Sequence, residues 1–138
     1  MKRLLVSAVL AFASLALSAQ SYRIVIPDGI PSEASEILLS RFTQMLESVD
    51  ITVEDDAPNS LLVNVTVVDR MITQGSISQV ALILAVTATP GEGLPEAVFN
   101  VRGVGEDDAD AMARAVKQIL PRSRQAVSFA RSLKNDEN

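Results

Sequence analysis

Residues 77–89, ISQVALILAVTAT, decide the fold of this chain. If the stretch is a strand, alternation gives it one entirely apolar face: Val80, Leu82, Leu84, Val86 and Ala88. The opposite face is mixed, with Gln79 and Thr87 beside alanines and two isoleucines. The segment Val80–Val86 is uncharged and would aggregate if it were exposed. We therefore predict a central strand that helices cover.

Two further β-rich runs flank this stretch, at Ser60–Arg70 and at Glu96–Val104. Residues 73–76, Thr-Gln-Gly-Ser, can turn the chain, so the first run and residues 77–89 are predicted to form a long hairpin. Residues 90–95 contain two prolines and two glycines and predict a loop. The run that follows them is therefore expected to add a further antiparallel strand.

The segment before the hairpin predicts a strand, a helix and a short second strand. Tyr22–Ile26 alternates, and Val49–Glu54 does so at a predicted sheet edge. Between them, Ser32–Ser48 has apolar residues at three- and four-residue spacing, which predicts an amphipathic helix with one face on a sheet. Pro31 suits the helix start because no N–H is needed there, and Ser32 can cap free N–H groups.

The C-terminal quarter predicts helices. Gly103 and Gly105 are expected to break the third long strand. The acidic residues 106–108 then begin a second helix, because a helix N-terminus favours negative charge. Pro121 interrupts this helix, and Pro121–Leu133 can form a third.

The predicted order is β-α-β-β-β-β-α(-α), which is an α+β domain. We expect a mostly antiparallel sheet of four to five strands with two or three helices on one face. Residues 20–134 are predicted to form this single domain, and residues 135–138, at the frayed C-terminus, to lie outside it.

Residues 1–19 have the layout of a secretory signal peptide: a positive pair at residues 2–3, the uncharged apolar run Leu4–Leu17, and small residues at the end. The run is shorter than the ~20 apolar residues that a spanning helix needs. We therefore expect cleavage, after Ser18 or Ala19, and a periplasmic or secreted mature chain without an integral membrane segment.

The residues that the chain lacks exclude much chemistry. It contains no histidine and no cysteine, which excludes Ser-His-Asp and Cys-His catalysis, disulfides, His or Cys metal sites, and a lipid anchor on a cysteine at the signal junction. Gly103-Val104-Gly105 lacks the third glycine of a dinucleotide fingerprint. We predict no cofactor and no metal site.

A carboxylate-only enzyme stays as an alternative, because two acidic side chains suffice for some hydrolytic chemistry. The acidic residues 54–56 and 106–110 are its candidates. A solvated loop and a helix N-terminus explain these runs more simply. We therefore predict that the chain is not an enzyme.

The charge pattern excludes one class of partner and suggests a contact surface. The formal charge is −5 at pH 7 and becomes more negative once residues 2–3 are removed, which argues against nucleic-acid binding. Basic residues gather near the C-terminus. Four of them are candidates for contact with anionic lipid, an acidic partner or peptidoglycan carboxylates: Arg122, Arg124, Arg131 and Lys134. Alternatively, these cations complement a helix C-terminus and keep the surface soluble.

Residues 99–116, FNVRGVGEDDADAMARAV, combine a strand, a glycine-containing break, an acidic start and an alanine-rich helix. This unit resembles the closing strand and helix of small bacterial envelope α+β domains: the amino-terminal domain of the Tol-system protein TolB, the penicillin-binding-protein activator lipoproteins and related envelope lipoproteins. The preceding strand, helix and hairpin are similar in order. The chain departs from the lipid-anchored relatives in having no cysteine.

The resemblance implies a non-catalytic domain that binds another envelope protein, and we expect it to use a sheet edge or the mixed sheet face. The alternative is a periplasmic carrier of a small apolar or lipid ligand, held between the helices and the aliphatic sheet. The sequence does not identify the partner.

Overall fold

The computed structural model describes residues 21–73, 77–89 and 96–135. The described elements form one five-stranded mixed sheet and three helices, which confirms the predicted α+β class. In chain order they are β1 (Ser21–Val25), α1 (Ser32–Glu47), β2 (Thr52–Val53), β3 (Asn59–Thr73), β4 (Ile77–Thr89), β5 (Glu96–Gly105), α2 (Asp108–Val116) and α3 (Arg124–Asn135). The predicted signal peptide and its cleavage site lie outside the described residues.

The sheet has the strand order β2-β1-β3-β4-β5. The long strands β3, β4 and β5 pair antiparallel, as predicted. Strand β1, however, runs parallel to both of its neighbours. A helical crossover is what allows parallel pairing, and α1 returns the chain to the end of the sheet where β1 began. The sheet is therefore mixed, with β2 and β5 at its two edges.

The predicted hairpin of β3 and β4 is the longest pairing in the sheet. Its register extends from Ser60 opposite Thr89 to Thr73 opposite Ile77. The register shifts between Val67 and Asp69, which places a β-bulge at this point of β3. Such a bulge increases the local twist of the strand.

The apolar face of β4 is buried, as its alternation predicts. We call this side of the sheet the inner face, and its β4 residues are at most 3% exposed: Val80, Leu82, Leu84, Val86 and Ala88. All three helices contribute to the same buried cluster. Phe42 of α1 meets Phe99 of β5 edge-on, with ring centroids 5.9 Å apart. The helices therefore share one core over the inner face.

The two glycines of β5 do not break the strand as predicted. Gly103 pairs with Val80, and Gly105 pairs with Ser78. A Cβ at Gly103 would overlap the backbone of α2 at Ala111 and Ala115. The glycines are therefore sites of close approach, where α2 packs directly on the backbone of the strand.

Helix boundaries differ from the prediction at several places, and α3, for example, begins at Arg124 rather than at Pro121. Pro31, not Ser32, is the N-cap of α1, and its side chain makes no capping bond. Helix α2 ends at Val116, several residues before Pro121. Helix α3 continues to Asn135, because Lys134 is anchored by a contact described below.

We predict that Gly103→Ala lowers the free energy of unfolding by about 1–3 kcal/mol, the usual cost of overpacking, because the new methyl group meets the backbone of α2. Urea unfolding followed by circular dichroism measures this effect. The control is Val104→Ala at the neighbouring exposed position. Equal midpoints for the two variants would contradict the close-approach interpretation.

Candidate functional site

The side of the sheet opposite the helices is open to solvent, and we call it the outer face. It carries the mixed residues of β4 together with the alternate residues of its neighbours. Three of its valines are about half exposed or more: Val68 (57%), Val98 (48%) and Val104 (51%). Exposed apolar side chains on one face are a feature of binding surfaces when they lie close together.

A groove of about 430 Å³ lies on this face. Its residues come from β3, β4, β5 and the segment after α2: Val68, Ala81, Leu82, Ile83, Asn100, Val101, Arg102 and Gln118. Arg102 is the one charged residue among them, and it forms no ion pair with any residue that the structure describes. The groove therefore combines an apolar floor with a single cation and two amides.

Strand β5 forms one edge of the sheet, and two glutamine side chains bond to its outward backbone groups. The Gln118 carboxamide oxygen accepts from the backbone N–H of Arg102 at 3.5 Å. The Gln125 side-chain nitrogen donates to the backbone oxygen of Val98. A second groove, of about 440 Å³, lies between this edge and α3 and is lined by Glu96, Ala97, Val98, Gln125, Ser128, Phe129 and Ser132.

The four basic residues that were predicted as candidates for partner contact do not form one cluster. Arg122 lies in the connection before α3, and Arg124 begins that helix, about 15 Å along its axis from Lys134. Arg131 and Lys134 share a groove of about 420 Å³ with the end of α1. Of the four, Arg122, Arg124 and Arg131 are exposed, whereas Lys134 is partly buried.

Lys134 has a structural contact. Its Nζ donates to the backbone oxygen of Val49 at 3.1 Å and lies 3.8 Å from the Asp50 carboxylate. Asp50 has a positive φ of 65°, in a left-handed conformation after the end of α1. Lys134 therefore ties the last turn of α3 to the loop between α1 and β2.

Two acidic side chains at the start of α2, those of Asp107 and Asp110, have hydrogen-bond partners within the chain. Asp107 is the N-cap, and its side chain accepts from the backbone N–H of Asp110 at 2.8 Å. The Asp110 carboxylate accepts from the backbone N–H of Glu106 at 3.0 Å and from Arg114 Nε at 3.1 Å. The Glu106 hydrogen bond and the Arg114 charge lower the pKa of Asp110, although partial desolvation opposes them.

Two negative findings apply to the described residues. Within them, no three acidic side chains gather in a way that could hold a metal ion. Over the same residues, no helix is both long enough and apolar enough to cross a membrane.

Sequence reasoning missed three of the residues that shape the outer face and its edge: Arg102, Gln118 and Gln125. Alternation in β5 gives the face on which Arg102 lies, but not the lack of an ionic partner. The two glutamines carry no signal of their own, because their role depends on where the helix ends meet the sheet edge.

We expect the pH dependence of stability to change in Asp110→Asn. A lowered folded-state pKa stabilises the fold fully above the ordinary value of 3.8, and this contribution is lost as the pH falls through the folded-state value. Wild type should therefore be more stable than the variant at pH 7, and the difference should vanish in strong acid. Thermal unfolding between pH 2 and pH 7 measures it, and a pH-independent difference would contradict the assignment.

The contacts of Lys134 predict that Lys134→Ala costs about 1 kcal/mol of unfolding free energy, because the bond to the Val49 carbonyl is lost. Arg131→Ala is the matched control on the same helix and should stay within about 0.5 kcal/mol of wild type. Chemical denaturation of both variants tests this, and equal losses would show that Lys134 has no special structural role.

Comparison with known proteins identifies the fold. No protein-family model matches the chain, and no curated protein sequence matches it. The chain is similar to the structure of a minor lipoprotein from Acinetobacter baumannii, with a TM-score of 0.52 and 9% identity over 86% of this chain and 95% of that chain. It also matches a chain from the structure of a PelC dodecamer from Paraburkholderia phytofirmans, with a TM-score of 0.40 and 10% identity over 85% of this chain and 87% of that chain. That TM-score is too low to support a conclusion. At this identity, the first likeness establishes a shared fold.

Proposed function

We propose that the mature chain is an exported, non-catalytic domain of the bacterial envelope, and that it binds another envelope protein through the outer face. The observation that carries the proposal is the open outer face, which has exposed valines and a groove with one arginine that lacks an ionic partner among the described residues. A partner suited to this surface presents apolar side chains with an acidic group near Arg102.

Three independent features support the envelope assignment. The secretory pattern of residues 1–19 indicates export to the periplasm or beyond. The lipoprotein from A. baumannii shares the fold. The strand–helix unit at residues 99–116 resembles that of the TolB amino-terminal domain and of penicillin-binding-protein activator lipoproteins, which are envelope proteins.

The absence of catalysis is proposed from side-chain chemistry. The chain has no histidine or cysteine to act as nucleophile or base. At the start of α2, the Asp107 carboxylate caps the helix and the Asp110 carboxylate pairs with Arg114, so these two groups already have partners. The acidic loop at residues 54–56 is exposed to solvent, which a solvated loop explains without a catalytic role.

The test is capture from the native envelope with two matched variants. Val68→Glu places a charge on the outer face, and Leu39→Glu places the same charge on an exposed apolar position of α1. We expect a protein that binds wild type and Leu39→Glu to bind Val68→Glu at least tenfold less. Equal capture by all three chains would place the binding surface elsewhere, and capture of lipid alone would refute the proposal.

A second function, as a carrier of a small ligand, is favoured by the outer groove rather than by the core. The space between the helices and the sheet is filled by fully buried side chains such as Leu38, Phe42 and Leu84. The groove of about 430 Å³ is instead large enough for a ligand with an apolar body and a carboxylate that meets Arg102. Native mass spectrometry of the exported chain tests this, because a bound lipid would be lost in Arg102→Gln.

A further inference from the structure

The edge of β5 offers a pairing surface that shares residues of this strand, Arg102 among them, with the groove of the proposed function. This strand is ten residues long, from Glu96 to Gly105, and its neighbours in the sheet lie on one side only. An edge strand of this length presents a row of backbone donors and acceptors, which is a template for another strand. Helices cover the inner face beside it, and two glutamine side chains occupy the outward Arg102 N–H and Val98 carbonyl.

The two glutamine bonds reveal which backbone groups point outward. The Arg102 N–H and the Val98 carbonyl both point away from β4, since they bond to Gln118 and Gln125. In an antiparallel strand the direction alternates with each residue. Asn100 therefore also directs its N–H and its carbonyl to the free edge.

Two opposite charges on this strand have no partner within the described chain. Glu96 and Arg102 both lie on the outer face, and neither forms an ion pair with a described residue. They are six residues apart on the same strand, about 20 Å, so they cannot meet each other. A strand with an acid at one end and a base at the other is complementary to an antiparallel copy of itself.

We propose that two copies of this chain pair through β5 as an antiparallel, edge-to-edge dimer with its two-fold axis at Phe99. In this register Glu96 of one copy lies opposite Arg102 of the other, twice by symmetry, and Val98 lies opposite Asn100. Directly opposed charges stabilise a strand pair, whereas a parallel arrangement in register would place like charges together. The dimer extends the sheet and leaves Val68 and the β3–β4 part of the groove open, whereas Arg102 is then paired with the second copy.

The backbone chemistry agrees with this register. Opposed residues with outward groups exchange two hydrogen bonds, so the Asn100 N–H of the second copy replaces the Gln125 donor at the Val98 carbonyl. The Glu96 carbonyl of the second copy replaces the Gln118 acceptor at the Arg102 N–H. Each glutamine thus holds the place of a strand group of the same polarity, and both side chains are exposed and can move aside.

Sedimentation of charge variants tests the dimer, with the chain expressed with residues 1–19 in place and purified after export. Glu96→Arg and Arg102→Glu should each raise the dimer dissociation constant at least tenfold, because like charges then face each other. The double variant should restore it to within about threefold of wild type. Glu36→Arg, an exposed charge reversal on α1, is the control and should leave dimerisation unchanged.

Cysteine pairs test the register, since the chain has no cysteine of its own. Opposed residues lie about 5.5 Å apart between Cα atoms, which suits a disulfide. A mixture of Val98→Cys and Asn100→Cys chains should therefore cross-link faster than either variant alone.

A wild-type chain that stays monomeric at millimolar concentration, or a double variant that fails to dimerise, would overturn the proposal. Faster cross-linking of Asn100→Cys alone would overturn the register. Val68→Glu should dimerise like wild type, which separates this test from that of the proposed function.

Discussion

Burial of the inner face of β4 is the constraint on which the rest of the structure depends. Its residues, from Val80 to Ala88, are almost completely removed from water. Burial of each large aliphatic side chain contributes roughly 1.5–3 kcal/mol, so no fold of this chain could leave the face open. Strands β3 and β5 flank it, and the three helices close over it. With few aromatic residues and no disulfide, the chain achieves this by close aliphatic packing.

Close packing on the inner face sets the geometry of the outer one. Helix α2 lies directly on the backbone of β5 at Gly103 and Gly105, and its end brings Gln118 to the strand edge. Helix α3 brings Gln125 to the same edge and is tied at its other end by Lys134. The three described helices therefore all pack on the inner face of the sheet. The outer face and the edge of β5 remain available for contact with other molecules.

Sequence patterns predicted the parts of this fold that depend on local periodicity. The bounds of β4 match the prediction, and α1 differs by one residue at its end. The patterns were wrong where a residue acts through a distant partner. Gly103 and Gly105 suggested a strand break, but they admit the backbone of α2. The partner contact of Lys134 stays a prediction, but local patterns gave no sign of its bond to the Val49 carbonyl. The parallel placement of β1 also had no local signal, since strand direction depends on where α1 returns the chain.

The sequence by itself determined that this protein is an α+β domain with one aliphatic core face and without His or Cys chemistry. Those properties follow from the residue types and from their periodicity along the chain. Side chains share one face every second residue in a strand and every third or fourth residue in a helix, wherever that element lies in the fold. Only the tertiary structure decided which charges lack an ionic partner among the described residues and which strand lies at the sheet edge. Glu96 and Arg102 are ordinary polar positions of a strand in the sequence. We propose them as an interaction surface because β5 is placed last in the described sheet. Strand order is set by contacts between residues far apart in the chain.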